Sequence, residues 1–85
     1  MRGGEIDIVA TRGTVIVVCE VKARASAAFG DPLDAMTPRK IQRVQRAGHA
    51  FLRDWKHLTG ERNLRLRFDA ASVLGTRLEV IEDCF

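Results

Sequence analysis

Two runs of β-branched residues separated by a glycine set the terms for this chain. Glu5-Ile6-Asp7-Ile8-Val9-Ala10 is followed by Thr11-Arg12-Gly13-Thr14, and then by Val15-Ile16-Val17-Val18-Cys19-Glu20-Val21-Lys22. Such runs favour extended backbone, and Gly13 can supply the positive φ of a tight turn, so the segment predicts a β-hairpin. With Arg12 and Gly13 as the loop pair, Asp7 faces Val18 and Glu5 faces Glu20. Side chains alternate between the faces of a strand. One face then holds Ile6, Ile8, Ala10, Val15, Val17, Cys19 and Val21, and the other holds Glu5, Asp7, Val9, Ile16, Val18, Glu20 and Lys22. Every charge falls on one face, at the end away from the turn. A one-residue slip would send Asp7 and Glu20 to opposite faces.

The rest of the chain supplies one helix and two further strands. Ala23 to Ala28 predicts a loop. Gly30-Asp31-Pro32 predicts a turn or short-helix start, with Asp31 as cap, Pro32 at the first helical position and Asp34 near the positive helix end. Thr37-Pro38 repeats the cap-then-proline signal and opens a long helix that Gly60 ends. Ile41, Val44, Gly48, Phe51, Leu52, Trp55 and Leu58 form its apolar stripe, which leaves Arg39, Lys40, Arg43, Arg46 and Arg53 to project mostly elsewhere. Leu64 to Leu74 predicts a strand, Gly75 a turn, and Leu78 to Ile81 a last strand. The order strand, strand, helix, strand, strand implies a single α/β domain over residues 1–85 with a mixed sheet and too few helices to cover both of its faces.

Composition narrows the function classes. The chain has 85 residues, 46% hydrophobic and 29% charged, as expected of a small globular domain. No apolar run approaches the ~18 residues that span a bilayer, so no membrane partner is expected. The two cysteines form neither a disulfide framework nor a CxxC clip, and predict reduced thiols in a cytoplasmic protein. Charge is uneven. Residues 1–36 carry net −1, residues 37–67 net +7 and residues 68–85 net −3. A basic middle between acidic ends fits either a polyanion surface beside a carboxylate site or an ordinary solvated helix face.

Asp7, Glu20 and Lys22 are the residues most suited to chemistry. Two carboxylates converging on one point can hold a hard cation such as Mg²⁺ or Mn²⁺, and the Val21 carbonyl between Glu20 and Lys22 can add an oxygen. Lys22 shares the Glu20 face about 6.6 Å further along, where it can orient or deprotonate a water. That set meets the needs of phosphodiester hydrolysis. The competing reading is a charge pair on a strand surface.

Several segments together resemble the YraN-like family. They are Gly4-Glu5-Ile6-Asp7-Ile8-Val9-Ala10, Glu20-Val21-Lys22, Phe29-Gly30-Asp31-Pro32, Thr37-Pro38-Arg39-Lys40 and Arg67-Phe68-Asp69. The resemblance covers nearly the whole chain. It implies the PD-(D/E)xK nuclease superfamily, a restriction-endonuclease-like mixed sheet flanked by helices, and archaeal Holliday-junction resolvases as relatives by fold. On that resemblance Asp7 and Glu20 are the motif's acids, Lys22 is its lysine, and Glu5 assists at the metal. Such proteins ordinarily begin further upstream, with an N-terminal helix that is not seen here, so one sheet face is expected to lie uncovered and to favour dimerisation.

The expected function is metal-dependent cleavage of DNA, including branched DNA, with Arg39, Lys40, Arg43 and Arg46 gripping phosphates. The alternative is a nucleic-acid-binding module of the same fold without catalysis. A third possibility is an assembly domain that dimerises through the uncovered sheet face. Asp31 and Asp34 are expected to serve the turn, His49 and His57 the surface, Phe51 and Trp55 the core, and Asp69 the structure. Cys19 is expected to be an inert core thiol.

Overall fold

The computed structural model describes residues 6–24 and 36–85. Of the loop expected at Ala23 to Ala28, Ala23 and Arg24 instead continue the second strand, and residues 25–28, the turn at Gly30-Asp31-Pro32, Asp34 and Glu5 lie outside the described residues. The elements are β1 (Ile8–Arg12), β2 (Val15–Arg24), α1 (Pro38–Thr59), β3 (Arg65–Leu74) and β4 (Arg77–Ile81). They build an α/β fold with one four-stranded mixed sheet in the order β1-β2-β3-β4, consistent with the restriction-endonuclease-like architecture. The outer pairs are antiparallel hairpins and the central β2–β3 pair is parallel. A parallel pair needs a crossover, and α1 lies within it.

The hairpin register differs from the one expected. Arg12 pairs with Val15, so the loop is Gly13-Thr14 rather than Arg12-Gly13. Gly13 has φ 58°, and Gly75-Thr76 repeats the same solution with φ 58°. A glycine at the first loop position is the requirement of a two-residue hairpin whose twist matches its strands. The correction shifts the pairing by two residues, so the side chains of the paired residues keep their faces. By continuation from Ile8↔Cys19, it moves Asp7 from opposite Val18 to opposite Glu20.

Helix α1 begins and ends where its caps dictate. The Thr37 side chain accepts the Lys40 backbone N–H at 3.2 Å, and Pro38 occupies the first turn. Gly60, at φ 73°, donates its N–H to the Lys56 carbonyl and closes the last turn. The helix covers the face carrying Ile16, Val18 and Glu20 on β2 and Phe68, Ala70 and Ser72 on β3. Val18, Val44 and Phe68 form the core there, with Ile6, Leu66 and Phe85 packed against it. Ile6 reaches that core because the chain bends at Asp7, where strand alternation stops.

The apolar stripe of α1 buries only in part. Val44, Ala47 and Gly48 are buried, whereas Leu58 is 77% exposed. At ~1.5 Å per residue the helix runs about 33 Å. Its close crossing with the sheet lies at Val44–Gly48, and its last turns extend past the core. Phe51 and Trp55, expected in the core, are half-buried and stack on each other at 5.7 Å.

The opposite sheet face carries Ile8, Leu78 and Val80, all substantially exposed. Across it Asp69 locks the C-terminal segment. Arg67 donates two hydrogen bonds to the Asp69 carboxylate, at 3.0 and 2.9 Å, and the Asp83 N–H donates a third at 2.9 Å. Burial pushes the Asp69 carboxyl up, but the Arg67 and Asp83 hydrogen bonds and the Arg67 charge outweigh it and hold it below its ordinary value. Asp69 is structural, as expected. Cys19 is half-buried on this same face rather than in the helix-covered core. Burial, helped by nearby carboxylates, pushes its thiol up, which keeps it protonated and unreactive.

Gly48 permits the helix–sheet approach. A Cβ there would stand 2.8 Å from Phe68 Cε1 and 3.4 Å from Val18 Cγ2. Phe68 has little room to yield, because the Phe85 ring lies 5.5 Å away and the His49 ring 6.3 Å away. Gly48→Ala should therefore destabilise by about 1–2 kcal/mol despite the better helix propensity of Ala. A thermal melt would show this as a Tm several degrees lower, and an unchanged or raised Tm would contradict the packing described.

Candidate functional site

The sheet brings the motif acids together from two strands. Glu20 lies in the middle of β2 on the helix-covered face, and Asp7 lies just before β1 at the continuing ladder position. Asp7 is exposed, and its Oδ2 accepts the Val21 backbone N–H at 2.9 Å. That bond fixes the Asp7 carboxylate at the Glu20-Val21-Lys22 segment. The Val21 amide is thus the group seen at Asp7, and its carbonyl remains a candidate oxygen.

Glu20 is only 7% exposed, which is unusual for a carboxylate. Its Oε1 is buried with no hydrogen-bond partner among the described residues, and its Oε2 has the Lys40 Nζ at 3.9 Å. Burial pushes the Glu20 carboxyl up, the neighbouring Asp7 charge adds to the rise, and Lys40 offsets part of it. Lys22 is exposed and sits in register beside Ser72. The Ser72 hydroxyl is also buried without a partner, on the same face as Glu20 and one strand over.

These observations test whether a hard divalent cation fits. Two carboxylates meet there, and one carries an oxygen that is shielded from solvent and unmatched by any donor. Such a donor set suits Mg²⁺ or Mn²⁺, which take oxygen ligands and retain waters. Among the described residues no three of His, Cys, Asp and Glu converge, and Glu5 lies outside those residues.

The basic residues divide. Arg39, Arg43 and Arg46 are exposed on the outer face of α1, as expected of phosphate contacts. Arg53 and His57 continue their line at helical spacing and are exposed too. Lys40 departs from the expectation that it projects away from the stripe. It is half-buried and turned to Glu20. The signal was present in the spacing, because Lys40, Val44, Ala47 and Phe51 follow i, i+4, i+7, i+11 and Lys40 therefore heads the buried stripe. Ser72 carried no such signal, since its strand continues from alternation into the run Ala70-Ala71-Ser72-Val73.

Residues 1–73 match the family described as uncharacterised protein family UPF0102. This chain belongs to the UPF0102 family. It is similar to a UPF0102 protein of Christiangramia forsetii, with 34% identity over 95% of this chain and 67% of the relative. A UPF0102 protein of Saccharophagus degradans shows 37% identity over 99% of this chain and 69% of the relative. One from Leifsonia xyli shows 43% over 87% and 59%. Membership accounts for the YraN-like resemblance. This UPF0102 chain spans about three-fifths to two-thirds of these relatives' length.

The buried acid has a measurable cost. A carboxyl raised in the folded state binds its proton more tightly there than when unfolded. Its contribution to stability is then full below the ordinary carboxylate pKa and is lost as pH rises through the raised value. Glu20→Gln removes this loss, and Lys40, a third exposed, can turn to water. The variant should be more stable than the native chain by on the order of 1 kcal/mol at pH 8, with the gap narrowing toward pH 4. Melts across that range that show a destabilised variant at pH 8 would contradict the burial account.

Proposed function

We propose that this UPF0102 chain carries the core of a metal-dependent nuclease that hydrolyses phosphodiester bonds in DNA. The observation that carries the reading is the meeting of Asp7 with a buried, partly unpartnered Glu20, flanked by Lys22 and Lys40. Asp7 and Glu20 would hold Mg²⁺ or Mn²⁺, with Glu5 and the Val21 carbonyl as further oxygen donors. The bound cation would neutralise charge on the phosphate and lower the pKa of a water. The Val21 amide keeps Asp7 oriented throughout. Lys22, exposed on the same strand face, stabilises charge building on a phosphate oxygen as water attacks. Arg39, Arg43 and Arg46 draw the flanking phosphates to α1, and branched DNA is the first substrate to try. Cys19 and Cys84 are free thiols, which supports a cytoplasmic setting.

Incubation of the chain with labelled duplex, single-stranded and four-way-junction DNA in Mn²⁺ or Mg²⁺ tests this directly. Asp7→Asn should reduce cleavage to background and Lys22→Met should lower it about a hundredfold or more. Activity that survives both substitutions would refute the site. The exposed Arg39, Arg43 and Arg46 on α1 equally support one rival, a DNA-binding module without catalysis. That rival predicts salt-sensitive, metal-independent binding with no cleavage.

The exposed Ile8, Leu78 and Val80 support one more part of the reading, a homodimer through the open sheet face. Light scattering at high protein concentration should give twice the chain mass, falling to one chain in Leu78→Glu/Val80→Glu. A monomer at all concentrations would remove the dimer and leave the site reading intact.

A further inference from the structure

The placement of Lys40 breaks a rule of helix design, and the break points to a role. The first turn of α1 contains no acidic residue but holds Arg39 and Lys40. Partial positive charge from unpaired N–H groups gathers at that helix end, so cations there are disfavoured and anions favoured. Two groups fix the Lys40 backbone in spite of this. Thr37 accepts its N–H, and Pro38 presets the turn. Lys40 heads the stripe that Val44 and Ala47 bury, so its side chain is carried under the helix toward β2. There its Nζ lies 3.9 Å from Glu20 Oε2, while Oε1 of the same carboxylate is buried and unpartnered. Among the described residues one long ion pair thus supplies the counter-charge of a carboxylate that is more than nine-tenths buried.

Such a pair is easily exchanged. At 3.9 Å it is longer than a good charge-assisted hydrogen bond of ~2.7–2.9 Å, so Lys40 neutralises Glu20 without satisfying it. A divalent cation at the two carboxylates brings twice the charge to the same oxygens and repels the ammonium. An expelled Lys40 would still sit at a helix N-terminus beside the Asp7–Glu20 site. That is where backbone N–H groups and an ammonium together suit a phosphate.

We propose that Lys40 is a tethered counter-ion for Glu20 that a divalent cation displaces, so that metal loading frees the ammonium for the DNA phosphate. The inference rests on the metal reading of Asp7 and Glu20 and adds a coupling that the motif does not contain. Cation and lysine compete for one carboxylate, and DNA binds better once the cation has won. The coupling is reciprocal, so DNA in turn tightens the cation.

Mn²⁺ titration calorimetry on the full chain at pH 8 without DNA tests the competition apart from catalysis. The native chain is compared with Lys40→Met, Lys40→Arg and Glu20→Gln. Lys40→Met should bind Mn²⁺ about five- to tenfold more tightly than the native chain, because the competitor is gone. Lys40→Arg should stay near native affinity, and Glu20→Gln should bind weakly or not at all. Fluorescence anisotropy with a short DNA then reads the second half. Divalent cation should raise DNA affinity severalfold in the native chain and should do so much less in Lys40→Met, although that variant holds the metal better. If Lys40→Met binds Mn²⁺ no more tightly than native while Glu20→Gln abolishes binding, the counter-ion role is overturned and the metal site stands. If Glu20→Gln binds as well as native, or the native chain binds no Mn²⁺, the metal reading fails and the inference falls with it. Circular dichroism spectra confirm that each variant is folded.

Discussion

A carboxylate buried between a strand and a helix must find compensation, and the arrangement of this molecule follows from how Glu20 finds it. Removal of an ionised group from water costs far more than any single packing contact returns. Glu20 is nonetheless placed on the face of β2 that α1 covers, in line with Ile16 and Val18, which are fully buried. Lys40 supplies charge from the helix, and Asp7, held by the Val21 amide, adds a second negative group beside it. Purely structural design would put a valine at such a position. A chain that keeps two acids and a lysine there sacrifices stability at that point, which supports the metal reading proposed above.

The scaffold around that point is built to be stiff. The β2–β3 pair is parallel and ten residues long on each strand. Phe68 fills the space under Gly48, and the Thr37 cap sets where the helix starts relative to the end of β2. Each of these fixes Lys40 against Glu20. On the other side of the sheet, the Arg67–Asp69–Asp83 network draws the C-terminal segment across the sheet edge, where Phe85 completes the core against Phe68. Sites held on strands and helix ends in this way keep their geometry better than sites on loops.

Much of this was legible in the residues. Cap-then-proline at Thr37-Pro38 and the glycine at position 60 locate the helix to the residue. Valine- and isoleucine-rich alternation locates the first two strands and puts Asp7, Glu20 and Lys22 on a common face. For Glu20 and Lys22 that assignment survived an incorrect turn, because a shift of two residues preserves parity, whereas Asp7, at a bend, is brought to the segment by its bond to the Val21 amide. Which loop residue the glycine occupied decided whether Asp7 sat opposite Val18 or Glu20, and the choice between Arg-Gly and Gly-Thr is a matter of strand twist that composition does not express. Lys40 was legible in principle from its spacing to Val44 and Ala47, but its charge argued for the surface. Ser72 was not legible, since only tertiary packing decides that its hydroxyl is shielded. Leu58 obeys the helical period and is exposed all the same, because periodicity says which way a residue points and not how far the neighbouring sheet extends.

The central claim is that Asp7 and Glu20 form one cation site beside the start of β1. Anomalous diffraction from a crystal soaked in Mn²⁺ tests it most directly. The account predicts a peak within coordination distance of both carboxylates, about 2.0–2.3 Å from oxygen, with the Lys40 ammonium moved away from Glu20. A peak elsewhere on the molecule, or none beside a Glu20 that still faces Lys40, would contradict it.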